Sequence, residues 1–282
     1  MLLIALPNKG SLAEQATALL GEAGYRCRRN DKDLWALDPE NQVEFVFLRP
    51  RDIAVYVSRG VIEAGVTGQD LVRESGVDVA ELMPLGFGRS CFRYAAPRGC
   101  ALDLDHLAGQ RIATSYPNIV REDMRRRAGR AEVVELDGAV EISVRLGVAD
   151  LIADVVQTGR TLEQAGLAVV GEPIMNSEAV LIARDRTTVE RPDLALLQKR
   201  LRGVVVARDY IMVEYDVPTA ALEEACRITP GIESPTVSPL NEKGWTAVKA
   251  MARRRHANRI MDALAELGAK GIIVTDIRTC RI

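Results

Sequence analysis

Short apolar runs alternate along the chain with stretches whose apolar residues recur every three or four positions. "LLIAL" at 2–6 is followed by such a stretch from Ser11 to Gly24, "VEFVFL" by one from Pro50 to Gly60, and "AGVTG" by one from Gln69 to Ser75. Apolar runs of five or six residues suit buried strands, and the three-to-four periodicity suits helices. A second series repeats the pattern: "SCFRYAAP", a helix over Leu102 to Leu107, "QRIATS", a helix from Pro117, "AEVVEL", a helix from Ala139, and "ADLIADVV". Strand and helix alternation of this kind predicts a largely parallel sheet covered by helices.

The pattern divides the chain. Residues 1–90 predict a first α/β lobe, and 91–177 a second. The run "EAVLIARD" after Asn176 predicts a strand that returns to the first lobe, so that 178–202 rejoin it and the chain crosses twice between lobes. Leu194, Leu197, Leu201 and Val204 then mark a longer helix ending near Arg208. Beyond it, "YIMVEYDVP", "TAALEEACRIT", "SPTVSPL", "WTAVKAMA", "HANRIMDALAELGA" and "KGIIVTDI" read strand, helix, strand, strand, helix, strand. That order over 209–282 is the βαββαβ order of a ferredoxin-like module. A module of this kind can serve oligomerisation alone, since its sheet has a face and edges for partners to cover.

Composition narrows the function. The chain has 282 residues, 48% hydrophobic and 27% charged, enough for two or three domains with cores of their own. A net charge of −2 and only 4% aromatic residues give no footprint for nucleic acid. Five scattered cysteines without a CxxC pair suit a reducing cytoplasm rather than a disulfide framework. The opening "MLLIALPNKG" lacks the charged, extended apolar form of a signal peptide, and no segment approaches a membrane span. His106 and His256 are the only histidines, and both have polar neighbours, which leaves little for histidine-centred catalysis.

The densest chemistry lies in "EISVRLGVADLIADVVQTGRTL", Glu141 to Leu162. A strand ends near Asp154, and "TGRT" turns into a helix. Gly159 permits positive φ there, while Thr158 and Thr161 add hydroxyls to a run of backbone N–H groups, as a phosphate cradle requires. A carboxylate at the end of the preceding strand sits where ligands of open α/β sheets collect and accepts from sugar hydroxyls. Phosphate beside polyol points to a ribose 5-phosphate. A lone TGxT is more often an ordinary threonine-capped turn beside a surface aspartate than a phosphate cradle.

The whole stretch resembles a signature of the ATP phosphoribosyltransferase family in its long form, through Glu141, Gly147, Ala149, Ile152, Asp154, Thr158, Gly159, Thr161 and Leu162. The resemblance extends to "PNKGSL", "FLRPRDIAVYV", "GVTGQDLV", "RIATSYPN" and "ITPGIESPT" and covers nearly the whole chain. It implies two periplasmic-binding-protein-like α/β lobes followed by a ferredoxin-like regulatory domain. It also implies transfer of 5-phosphoribosyl from phosphoribosyl pyrophosphate to N1 of ATP, releasing pyrophosphate, with Mg²⁺, as the first step of histidine biosynthesis. Carried over by motif, Gln157, Thr158, Gly159, Arg160 and Thr161 would hold the 5-phosphate, with Glu141 and Asp154 on the ribose hydroxyls, directly or through Mg²⁺. Lys9, Gly10, Leu12, Arg49, Asp70, Leu71 and Tyr116 would surround ATP, with Lys9 and Arg49 also in the catalytic set and Arg51 at a comparable strand end. Each of these alone is also an ordinary cap, surface charge or loop packing residue. "REDMRRRAGR" matches no catalytic motif and reads as a solvated helix face.

For the C-terminal module the resemblance implies allosteric inhibition by histidine, through Asp216, Ile232, Thr236 and Gly271, and assembly into homodimers and homohexamers. Two other readings stay open from the architecture. A two-lobed solute-binding protein would explain the lobes but not the module, and a prephenate dehydratase-like enzyme would explain both but not a ribose-phosphate turn.

Overall fold

The computed structural model describes residues 1–28, 33–100, 104, 107–127, 130–156 and 159–281. The chain opens with β1 (Leu2–Pro7), α1 (Gly10–Glu22), β2 (Trp35–Asp38), β3 (Val43–Leu48), α2 (Pro50–Ser58), β4 (Ala64–Gly68), α3 (Gln69–Ser75) and β5 (Ala80–Pro84). It continues through β6 (Ser90–Pro97), β7 (Arg111–Thr114), α4 (Pro117–Arg126), β8 (Glu132–Glu135), α5 (Ile142–Arg145), β9 (Leu151–Val156), α6 (Arg160–Gln164) and β10 (Leu167–Ser177). It then returns as β11 (Ala179–Ala183) and α7 (Pro192–Asp209).

In the first sheet the strands lie in the order β2-β3-β1-β4-β11-β5. β1 is parallel to β3 and β4, while β11 runs antiparallel between β4 and β5. β4 and β11 are buried at every position, the signature of strands covered on both faces. One cover is α2. It starts at Pro50, whose fixed φ suits a first helical position, and packs Ile53, Ala54 and Val57 into a core with Ala5, Val46, Val180 and Ile182. Helix and strand approach closely at Gly65, where an added Cβ would stand 2.5 Å from Ile53 Cγ2.

The second sheet has the order β10-β6-β9-β7-β8, with β7 parallel to β8 and β9 and with β6 antiparallel to both β9 and β10. Phe92, Tyr94, Leu151 and Ala153 face one core with Ile119 and Val120 of α4. Ala95, Ala113 and Ile152 face another with Val140 and Leu162. The outgoing and returning crossings run side by side: Leu85 N–H donates to Ala179 O and Ala179 N–H to Phe87 O, both at 2.9 Å. Paired crossings between two sheets are the architecture of periplasmic-binding-protein-like lobes.

The pattern-based expectation omitted β2, β5 and β10. β2 is a four-residue edge strand, exposed at Trp35 and half-buried at Ala36, so it lacks a buried apolar run. β10 alternates poorly because a register shift separates Val170 from Met175. The helix expected from Ala139 is a short turn over 142–145, and the one expected over 102–107 falls largely outside the described residues. "REDMRRRAGR" is not simply a solvated face. Asp123 is buried and accepts from Tyr94 Oη at 3.0 Å and Arg127 Nε at 2.8 Å, because the helix turns that side toward the sheet.

Contacts group the chain into two units, 1–21 with 25–198, and 22–24 with 199–282; the boundary falls inside α7. In the second unit, β12 (Tyr210–Pro218), α8 (Leu222–Ile228), β13 (Thr236–Pro239), β14 (Trp245–Arg253), α9 (Ala257–Glu266) and β15 (Lys270–Asp276) form an antiparallel sheet of order β13-β14-β12-β15. Strict alternation on β12 buries Ile211, Val213, Tyr215 and Val217 against both helices. The connectivity is ferredoxin-like.

Candidate active site

The carboxyl ends of the parallel strands β1, β3, β4, β7 and β9 lead directly into the segments holding Lys9, Arg49, Asp70, Tyr116 and the turn before α6. Strand carboxyl ends collect ligands in open α/β sheets.

Asp154 lies on β9, half-buried. Burial pushes its carboxyl above the usual aspartate value; the bond from Val155 N–H opposes this and the negative charge of Glu141 adds to it. Glu141 stands at the N-terminal end of α5, and the two side chains line one cleft of ≈ 350 Å³ with Val155, Val156, Gly159, Thr161 and Leu162. Gly159 adopts φ 75°, the left-handed region that disfavours other residues, and among the described residues nothing stands within 4 Å of where its Cβ would be. The backbone conformation is therefore what suits glycine here. Arg160 and Thr161 are exposed, while Gln157 and Thr158 lie outside the described residues.

A second cluster joins the lobes. Asp70 is buried at the start of α3; its Oδ1 accepts from Ser177 Oγ at 2.8 Å, and its own N–H donates to the same hydroxyl. The Asp70 side chain folds over Gly68, where an added Cβ would collide with Oδ1. Burial and the charges of Asp70 and Asp154 hold the Tyr116 phenol well above the usual range, against the opposing charge of Arg51. Arg51 crosses to the second lobe, placing Cζ 5.4 Å from the Tyr116 ring centre and donating through Nη2 to Ser115 O at 2.7 Å. Leu12 comes near the outgoing crossing, its Cδ1 3.2 Å from where a Cβ on Gly88 would lie. Lys9, Gly10 and Arg49 are exposed, and Leu71 is half-buried.

Ser177 and Glu74 escaped the sequence reading. Ser177 lies in no motif. Glu74 is buried and takes the N–H groups of Asn118 and Ile119 at the start of α4. A glutamate in the last turn of a helix opposes that helix's dipole, and this mismatch was the one available signal.

In the second unit, Asp216 lies across from Lys270 in the β12–β15 pair, beside a register shift. Gly271 follows at φ 59°, its virtual Cβ 3.7 Å from Asp216 Oδ2. Ile232 and Thr236 are exposed, Thr236 opening β13.

The family described as ATP phosphoribosyltransferase (HisG) matches residues 49–203, and that of the HisG C-terminal domain matches 207–279. A protein of Salinibacter ruber named ATP phosphoribosyltransferase is 59% identical, the alignment covering 100% of both chains. The chain belongs to the ATP phosphoribosyltransferase family. A Nocardia farcinica protein of the same name is 56% identical over 100% of this chain and 99% of its own. Among solved structures, an ATP phosphoribosyl transferase (HisG:HisZ) complex from Thermotoga maritima shares the fold at TM-score 0.62 and 24% identity, covering 72% of this chain and 99% of that one. Membership makes the chain a transferase of histidine biosynthesis in its long form, with the C-terminal domain present. It also sets aside the solute-binding and dehydratase readings.

Proposed function

We propose that the cleft of Glu141, Asp154, Gly159 and Thr161 is where phosphoribosyl pyrophosphate is held while its ribosyl group passes to N1 of ATP. The carrying observation is that two carboxylates and the glycine turn line one cavity. In the reaction the C1–O bond breaks with its electron pair leaving on pyrophosphate, and the N1 lone pair forms the new C1–N1 bond. Adenine N1 is a weak nucleophile, so the ribose gains positive character and the protein's work is positioning and charge stabilisation.

Gln157 to Thr161 hold the 5-phosphate, and Glu141 and Asp154 take the ribose hydroxyls, their negative charge favouring a cationic sugar. Lys9, Gly10, Leu12, Arg49, Asp70, Leu71 and Tyr116 form the ATP side, with Lys9 and Arg49 meeting phosphates and the Asp70–Tyr116 pair bordering the base.

Mg²⁺ suits this donor set. Among the described residues no group of three or more metal-binding side chains exists, and Mg²⁺ commonly takes one or two carboxylates plus substrate phosphates and waters. Glu141 and Asp154 supply those oxygens. The ion would neutralise the leaving pyrophosphate.

The C-terminal domain binds histidine through Asp216, Ile232, Thr236 and Gly271 and inhibits transfer, in an enzyme that forms homodimers and homohexamers in the cytoplasm. All five cysteines are free thiols, and among the described residues no helix is long and apolar enough to cross a membrane. Mixing the protein with ATP, phosphoribosyl pyrophosphate and Mg²⁺ tests the reading. Pyrophosphate release dependent on both substrates supports it, and its absence in folded protein refutes it.

A further inference from the structure

Arg93 belongs to no motif of the sequence, yet it lies directly opposite Asp154 in the antiparallel β6–β9 pair. Opposed residues in such a pair raise their side chains from the same face. The neighbours on that face, Ala95 and Ile152, pack with Val140 and with Leu162, which lines the cleft; Phe92 and Tyr94 point the other way, into the opposite core.

Arg93 is half-buried, and among the described residues its buried Nε has no hydrogen-bond partner. Among the described residues its guanidinium makes no ion pair, although Asp154 stands across the ladder. A guanidinium has donors only, and a buried N–H without an acceptor is a defect that native proteins rarely keep. A group entering beside Asp154 can supply that acceptor.

The cleft's electrostatics say what group that is. Two carboxylates on its wall disfavour a phosphorylated sugar unless cations offset them, and Arg93 is a fixed cation raised from the same strand face as Asp154. Arginine fits better than lysine because its planar fork can grip two oxygens of one phosphoryl group. We propose that Arg93 is a binding residue for phosphoribosyl pyrophosphate, its guanidinium donating to a phosphoryl oxygen of the sugar held beside Asp154. This rests on the cleft being the phosphoribosyl site.

The test is steady-state kinetics of Arg93→Gln and Arg93→Lys in the full chain, with melting temperatures recorded alongside. Arg93→Gln is expected to raise KM for phosphoribosyl pyrophosphate about tenfold or more while KM for ATP stays within about twofold. Arg93→Lys keeps the charge but not the fork and falls between. Competition by pyrophosphate and by ribose 5-phosphate identifies the phosphate, since the inhibitor that Arg93 contacts is the one that weakens. A folded Arg93→Gln protein with unchanged KM for phosphoribosyl pyrophosphate, or with only KM for ATP raised, overturns the proposal. Should that variant fail to fold, an unchanged KM in Arg93→Lys overturns it equally. A wild-type protein with no turnover fails the reading of the cleft itself, and the proposal with it, which is a different result from an active enzyme indifferent to position 93.

Discussion

The Glu74 carboxylate, in the last turn of α3, accepts the Ile119 backbone N–H of α4 at 3.1 Å. The same carboxylate takes the Asn118 N–H, and the Asn118 side-chain amide returns a bond to Glu74 O at 2.8 Å. A side chain of the first lobe thus satisfies orphan donors at the start of a helix of the second, right after Tyr116. Arg73 adds a two-pronged pair to Glu122, though its partial exposure makes that contact worth little by itself. The arrangement fixes the α3–α4 contact and with it the position of Tyr116 over Arg51.

Burial pushes the Glu74 carboxyl above the ordinary glutamate value despite the opposing Ile119 and Asn118 N–H bonds and the charge of Arg51. A carboxyl raised on folding stabilises fully below its unfolded value and loses that contribution as pH climbs through the folded one. Glu74→Gln does not titrate. The melting temperature of wild type relative to Glu74→Gln should therefore fall as pH rises from about 4 to 7. A gap that stays constant or moves the other way contradicts the assignment.

Asp154→Asn should lower kcat/KM by roughly 10²-fold or more, since an electrostatic contact at the reacting sugar is lost, while the melting temperature holds. Because the Asp154 carboxyl is raised, the acid limb of the wild-type pH profile should lie above the usual aspartate range. That limb should vanish in Asp154→Asn. Kinetics indistinguishable from wild type would remove Asp154 from the site.

Gly65→Ala should lower stability by about 1–3 kcal/mol, the ordinary cost of overpacking, because the new methyl would stand 2.5 Å from Ile53 Cγ2 and 3.3 Å from Val57 Cγ2. Thermal denaturation reads this directly, and an unchanged midpoint would mean α2 sits further from β4 than described.

Deleting the chain after Arg208 should abolish inhibition by histidine, and Asp216→Ala should raise the half-inhibiting histidine concentration by roughly tenfold, within the usual range of coupling energies. A titration of turnover with histidine measures both. Full inhibition in a folded truncate would place the histidine site outside the C-terminal domain.

Much of this was legible in the chain because burial and periodicity coincide. β1, β4 and β11 are apolar on both faces, and β12 alternates strictly, so each strand announces itself. The turn at Gly159 was legible for a similar reason, since its conformational demand and its motif fall on one residue. Glu74, Ser177 and Arg93 were not. Their roles come from pairing across long separations, Glu74 with Asn118 and Ser177 with Asp70, and from strand register at Arg93, none of which leaves a local pattern.

The most direct measurement is a crystal structure with phosphoribosyl pyrophosphate bound. The account predicts the 5-phosphate within hydrogen-bonding distance of the Gly159 and Thr161 amides and a ribose hydroxyl on the Asp154 carboxylate. A sugar phosphate lodged elsewhere, with those amides and that carboxylate unengaged, would contradict it.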